Sequence, residues 1–198
     1  MAEARYRGEV VKLDRGYPLV RLEDGELLRC EHATALVKGE RRRAVIGDVV
    51  EVAVPPAHDK GVIEAIAPRT REFVRKDPTE RAVPQVLAAN FERVIVAQPV
   101  GEVNLRRLER ELVLAFETGA EVTVVLTKAD LADERETRAW LGHFRAQGID
   151  CMSFDSIRGK AKDIVARIEK ASADAVAKIA AKGVKKTVRV MIVGVPNV

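Results

Sequence analysis

The chain has 198 residues and a formal net charge of +4; 47% of its residues are hydrophobic and 32% charged, enough for one large or two small cores. No apolar stretch approaches the roughly 18 to 20 residues a spanning helix needs, and MAEARYRGEV lacks the apolar block of a secretory signal, so no membrane partner and a cytoplasmic location are expected. Cys30 and Cys151 stand far apart and outside any C-x-x-C or Cys/His cluster, which argues against a disulfide framework and a zinc site and predicts two buried thiols.

Residues 4–67 read as short strands between turns: RGEVVKLD, YPLVRLEDGELLRCE, GDVVEVAVPP and GVIEAIAP. Asp24-Gly25 marks a hairpin, since glycine takes the positive φ such a turn requires. Four or five strands in so short a span predict a small closed β-barrel over 1–67, of the oligonucleotide-binding (OB-like) kind that holds RNA on a strand face and its loops. Basic residues crowd KGERRRAVIGD, where Lys38, Arg41, Arg42 and Arg43 are the RNA-binding candidates, and APRTREFVRKDPTER, with Arg69, Arg71, Arg75, Lys76 and Arg81. Aromatic side chains able to stack on bases are few: Tyr6, Tyr17 and Phe73. Residues 68–90, with Pro68, Pro78 and Pro84 among charges, read as a linker.

From Phe91 the period changes. ERVIVAQ predicts a buried strand, and Asn104 a cap for the helix LRRLERELVLAFETG, whose Leu105, Leu108, Leu112 and Phe116 fall on one face before Gly119 ends it. EVTVVL, IDCMSF and TVRVMIV are further strands, separated by the helices DERETRAWLGHFRAQG and KAKDIVARIEKASADAVAKIAAKG. Alternating strands and helices over 91–198 imply a parallel sheet with helices on its faces.

In such sheets ligands bind beyond the carboxyl ends of the strands, so the three loops there form one set. Thr127-Lys128-Ala129-Asp130 resembles the guanine motif Asn/Thr-Lys-x-Asp: a carboxylate at Asp130 accepts from the ring N–H and the exocyclic amine of guanine, and the stem of Lys128 lies along the purine. The same four residues also fit a helix start with Asp130 near the N-cap. Asp155-Ser156-Ile157-Arg158-Gly159 resembles the loop in which a serine braces the turn and the next backbone N–H meets the guanine carbonyl, roles for Ser156 and Ile157. Gly194-Val195-Pro196-Asn197-Val198 supplies the first five positions of a phosphate loop, G-x-x-x-x-G-K-[ST], whose N–H groups cradle phosphates. The Gly-Lys-Ser/Thr that would follow is not among the 198 residues, so the lysine for the β- and γ-phosphates and the hydroxyl for Mg2+ are not supplied.

In ordinary GTPases the phosphate loop precedes the guanine motifs; here it follows them, the order of a circular permutation. A permuted GTPase half behind a β-barrel resembles the ribosome small-subunit-dependent GTPase A family (RsgA), on AANFERVIVAQ, NLRRLERELVLAFETGAEVTVVLTKADL and the basic barrel, over about residues 5–140. Residues of about 145–198, with AQGIDCMSFDSIRGK and AAKGVKKTVRVMIVGVPNV, look closer to a sibling, the ribosome biogenesis GTPase A family, which acts on the large subunit. The chain thus reads as a hybrid joined near Trp140 to Gly148 or as a divergent member. The resemblance implies GTP/GDP and Mg2+ as ligands, hydrolysis of GTP stimulated by the ribosome, and a monomer whose partners are the small subunit and its rRNA, with the large subunit as alternative. It also implies a fragment, inactive as it stands, with no catalytic residue assigned. A second reading is a non-catalytic RNA-binding barrel with a remnant GTPase half.

His32, His58 and His143 lack partners at ligand spacing and read as surface or core histidines. Trp140 and Phe144 form a core pair four apart on a helix, Lys160 to Lys182 a solvated amphipathic helix, and Lys185, Lys186 and Arg189 the polar approach to a strand.

Overall fold

The structure, a computed structural model, describes residues 4–14, 17–39, 42–56, 58–76, 84–181 and 187–194. Arg41, Arg81, Lys185, Lys186, Val195, Pro196, Asn197 and Val198 lie outside the described residues. The chain divides into two compact units, Met1–Asn90 and Phe91–Val198.

In the first unit, apolar residues alternate along strands β1 (Ala4–Asp14), β2 (Tyr17–Leu22), β3 (Leu27–His32), β4 (Val49–Val54) and β5 (Gly61–Ile66), so one face of each can turn inward. They close into a barrel in the order β1-β2-β3-β5-β4, with β3 and β5 parallel and the other pairs antiparallel. β1 reaches both neighbours because a bulge at Val10/Lys12 bends it. Gly25, at φ 93°, makes the β2–β3 turn, where Glu26 N donates to Asp24 Oδ1 at 2.9 Å. Val10, Val20, Cys30, Val50, Val52 and Ile63 fill the interior, and Leu36, on a single π-helical turn (Ala35–Gly39), packs among them.

The segment 68–90 is more than a linker. It carries β6 (Glu72–Lys76) and β7 (Pro84–Ala89), an antiparallel pair. Ala89 N donates to Ile46 O at 2.9 Å and Asn90 Nδ2 to Gly47 O at 2.9 Å, so the pair is sewn to the β-barrel. Phe73 is 4% exposed in this pair, which removes it from the base-stacking candidates. Tyr6 and Tyr17 stay exposed, though the Lys60 ammonium covers one face of Tyr17 at 4.8 Å from the ring centroid. Arg69 is also withdrawn from solvent. Its Nε and Nη2 donate to Asp48 Oδ1 and Oδ2 at 2.8 and 2.9 Å, and Asp48, 0% exposed, also accepts from Val45 N at 2.8 Å. These bonds raise Arg69 above the ordinary guanidinium value.

In the second unit, β8 (Arg93–Pro99), β9 (Glu121–Thr127), β10 (Asp150–Ser153) and β11 (Val190–Gly194) form an all-parallel sheet in the order β10-β9-β8-β11. The central strands β8 and β9 are near-continuous apolar runs because both of their faces are covered. α1 (Leu105–Glu117) starts where the Asn104 side chain accepts from Arg107 N at 3.1 Å and packs on β8 and β9. Of the predicted face, Leu108 is buried and Leu112 half-buried, whereas Leu105 and Phe116 are exposed and Ala115 is buried in addition. α2 (Glu134–Ala146) packs on β10, with Phe144 buried and stacked on half-buried Trp140 at 5.8 Å between ring centroids. α3 (Ala161–Ala180) buries Ser172 and leaves Val165 exposed.

At the amino edge of this sheet Arg93, 3% exposed, donates to Thr123 Oγ1 at 2.8 Å and pairs with Glu121, while Thr123 Oγ1 donates to Asp150 Oδ2 at 2.9 Å. Burial acts to raise Asp150, but hydrogen bonds from Arg167 and Thr123 outweigh it and hold the carboxyl below its ordinary value.

Candidate guanine-nucleotide site

The opposite, carboxyl edge of the sheet brings two predicted loops together. After β9 the backbone turns at Lys128 into the left-handed region, φ 54°, a conformation uncommon outside glycine. That turn aims Lys128 N at the loop after β10, where it donates to Ser156 Oγ at 3.0 Å. Ser156 N donates in return to Asp130 Oδ1 at 2.7 Å, and Ala129 N to Phe154 O at 3.2 Å. Three hydrogen bonds thus clasp Thr127-Lys128-Ala129-Asp130 to the serine loop.

Asp130 is not the residue that caps α2. The residue that caps α2 is Asp133, whose carboxylate accepts from Arg135 N at 2.7 Å and Glu136 N at 3.3 Å. Asp130 sits instead on a 3-10 turn, exposed, with its carboxylate steadied by Ser156. A carboxylate oxygen has two lone pairs, so accepting from Ser156 N leaves capacity for donors of a ligand.

One loop-shaping residue escapes the sequence. Asp155 Oδ1 accepts from Ile157 N at 2.8 Å and Arg158 N at 2.7 Å, and these bonds, Arg158's first, hold its carboxyl below the ordinary value. Asp155 therefore shapes the serine loop, and the Ile157 N–H assigned to a guanine carbonyl is engaged by it. An aspartate one residue before a serine-glycine loop is the signal for such a turn. The Ile157 side chain is 77% exposed.

Gly194 ends β11, opposite Ala97 of β8. A Cβ there would lie 2.3 Å from Ala97 O, so only glycine lets this strand end so close to its neighbour. With strands about 4.8 Å apart, Gly194 lies two intervals from the end of β9, about 10 Å, and three from β10, about 14 Å. Guanine-type and phosphate-type loops are thereby spaced on one edge at the scale of a nucleotide.

The RNA candidates lie in the first unit. Lys38 ends the π-helical turn, Arg43 is exposed and Arg42 half-buried. His32 is structural: its Nε2 accepts from Ala44 N at 2.9 Å, and burial, then the Arg43 charge, lower its pKa and keep it neutral. Cys30 and Cys151 are free and buried, and burial pushes the Cys30 thiol up to about 11. Among the described residues no group of three His, Cys, Asp or Glu side chains is placed to hold a metal, and no helix is long and apolar enough to cross a membrane.

A closed five-stranded β-barrel followed by a parallel sheet with permuted loops defines an OB-like domain joined to a partial, circularly permuted P-loop GTPase domain. The family described as RsgA GTPase matches residues 66–183, and the chain belongs to it. That match runs through Trp140 to Gly148, where the sequence resemblance changes character. A small ribosomal subunit biogenesis GTPase RsgA of Streptomyces avermitilis is 36% identical over 171 residues, 84% of this chain and 45% of that protein. A ribosome biogenesis GTPase A of Priestia megaterium is 42% identical over 78 residues, 38% of this chain and 27% of that protein. The chain spans about half the length of the first of these relatives. In fold it is similar to YjeQ from Thermotoga maritima (TM-score 0.56, 24% identity, 76% of this chain and 51% of that one). It is likewise similar to YloQ, described as a circularly permuted GTPase (TM-score 0.61, 17% identity, 98% of this chain and 61% of that one).

Proposed function

We propose that the chain forms the RNA-contacting and base-recognising part of a GTPase that assists maturation of the small ribosomal subunit in the cytoplasm, acting as a monomer. The observation that carries this reading is the clasp of Lys128, Asp130 and Ser156 at the carboxyl edge of the sheet. In it, Asp130 accepts the two guanine donors, the Lys128 stem and the Ile157 side chain border the purine, and Thr127 and Ser156 hold the two loops in register. Gly194, Val195, Pro196, Asn197 and Val198 are assigned to the phosphates through the backbone N–H groups of all but Pro196, which has none. Bound Mg2+ neutralises phosphate charge. No residue of these 198 is assigned to it or to the γ-phosphate, and the chain alone is expected to bind nucleotide very weakly and to be inactive. Lys38, Arg41, Arg42 and Arg43 give the β-barrel its rRNA contacts.

The test is calorimetry of GDP and ADP on the polypeptide extended through Gly-Lys-Ser/Thr. Magnesium-dependent binding of GDP in preference to ADP is expected, and Asp130→Asn should abolish the preference by replacing an acceptor with a donor. Unchanged selectivity would remove Asp130 from the site. A large-subunit role is favoured by one observation, the 42% identity to the Priestia megaterium protein. Cosedimentation with isolated small and large subunits separates the two, with the small subunit expected.

A further inference from the structure

A cavity of about 620 Å³ opens in the first unit between the barrel and the β6–β7 pair, a volume in the range of small-molecule sites. Its charge is one-sided: Arg42, Arg43 and Arg69 line it, and among the described residues no aspartate or glutamate does. Arg69 is neutralised by Asp48, but no carboxylate pairs with Arg42 or Arg43 among the described residues. His32, at the same wall, is neutral and directed at Ala44 N, so the net charge facing the space comes from those two guanidinium groups. The rest of the lining is different in kind. Leu13 of β1 and Val86 and Leu87 of β7 present apolar surface, interrupted by the amide of Gln85.

Two unpaired guanidinium groups beside an apolar slot with an amide at its rim suit a ligand that is anionic at one side and flat and apolar at the other. That is the chemistry of a nucleotide. We infer that this cavity takes one unstacked nucleotide of a single-stranded RNA, with its flanking phosphates on Arg42 and Arg43 and its base against Val86 and Leu87. The inference rests on the RNA-contacting reading of the β-barrel and locates the contact in a cavity rather than on an open strand face. It also explains how a domain with few exposed aromatic rings can hold a base: the slot between two β-structures replaces the stacking platform.

The experiment uses the full chain and a fluorescein-labelled decauridylate at 0.1 M salt. Arg42→Ala/Arg43→Ala is expected to weaken binding at least tenfold and to reduce the salt slope by about 1.4, two single-strand phosphate contacts. Val86→Trp fills the slot without changing charge and should weaken binding about tenfold with thermal unfolding unaltered. Arg7→Ala, on exposed β1 and outside the cavity, should change affinity less than twofold. On the unaltered chain, 4-thiouridine in the same strand should crosslink to the peptide carrying Val86 and Leu87. Binding that ignores Val86→Trp, or that falls equally with Arg7→Ala, would overturn the cavity assignment while leaving RNA contact by the β-barrel standing. Displacement by micromolar uridine monophosphate would overturn the strand in favour of a free nucleotide. Absence of any decauridylate binding would overturn both this inference and the reading beneath it.

Discussion

The two units solve the burial problem in opposite ways. The barrel closes on itself, so each of its five strands has two hydrogen-bonded neighbours, and the deeply buried charge of Asp48 is matched by Arg69 and Val45. The α/β unit is open. Its sheet has two edges, β10 and β11, and Leu105, Val113, Phe116, Val165 and Ile192 lie exposed around it. A closed sheet needs nothing further to satisfy its backbone, whereas an open one carries unpaired strand edges and relies on what covers them. The two proposed sites divide along the same line: the closed unit offers charge and a cavity, and the open unit offers loops clasped at one sheet edge.

The difference can be probed directly because the sole tryptophan, Trp140, belongs to the second unit and both tyrosines, Tyr6 and Tyr17, to the first. The largest effect is expected from Asp48→Ala, which takes the buried two-point acceptor from the Arg69 guanidinium and leaves it Glu72 Oε2 at 3.2 Å and Arg43 O at 3.4 Å, at a cost of about 3 kcal/mol. Tyrosine emission should report early unfolding in denaturant with the tryptophan transition unmoved; equal shifts in both would break the comparison.

Next is the clasp. Ser156→Ala leaves Lys128 N without its acceptor and should cost about 1 kcal/mol, read as a several-fold weaker GDP affinity in the extended polypeptide, with the tyrosine transition unchanged.

Acid should separate the units more gently. His32 is held neutral, so its folded pKa lies below 6.5, and the stability tied to it is full above pH 6.5 and lost as pH falls through the folded value. Asp150 is shifted below 3.8, so its contribution persists above 3.8 and fades only as pH falls through its lower folded value. Denaturant midpoints between pH 7 and 5 should therefore fall for tyrosine and hold for tryptophan, and His32→Gln should flatten the tyrosine trend. The smallest effect is expected at the exposed face of α1: Leu105→Ser and Phe116→Ser should each stay within about 0.5 kcal/mol by tryptophan emission.

Strands β8 and β9 and the caps at Asn104 and Asp24-Gly25 were legible because each rests on residues adjacent in sequence. Features made by distant partners were not. Arg69 looks like one more basic loop residue until Asp48, 21 positions away, is placed beside it. Prolines and charges disguise β6 and β7, whose attachment to Ile46 and Gly47 is tertiary. On α1 the burial of Leu108 was legible, but Leu105 and Phe116 share its helical spacing, and only the packing on β8 and β9 leaves them exposed and buries Ala115. At the candidate site the motif TKADLADER contains two aspartates fit to cap a helix, and only the loop after β10 distinguishes Asp130 from Asp133.

The two buried thiols acquire a use from their distribution. Cys30 sits in the barrel and Cys151 on β10, so each half of the molecule contains one, and burial raises the pKa of both. Alkylating reagents attack thiolates, which the native fold both disfavours and shields. Modification followed by peptide mass analysis therefore serves as a pair of clocks, each ticking only when its own half opens, with no engineered label.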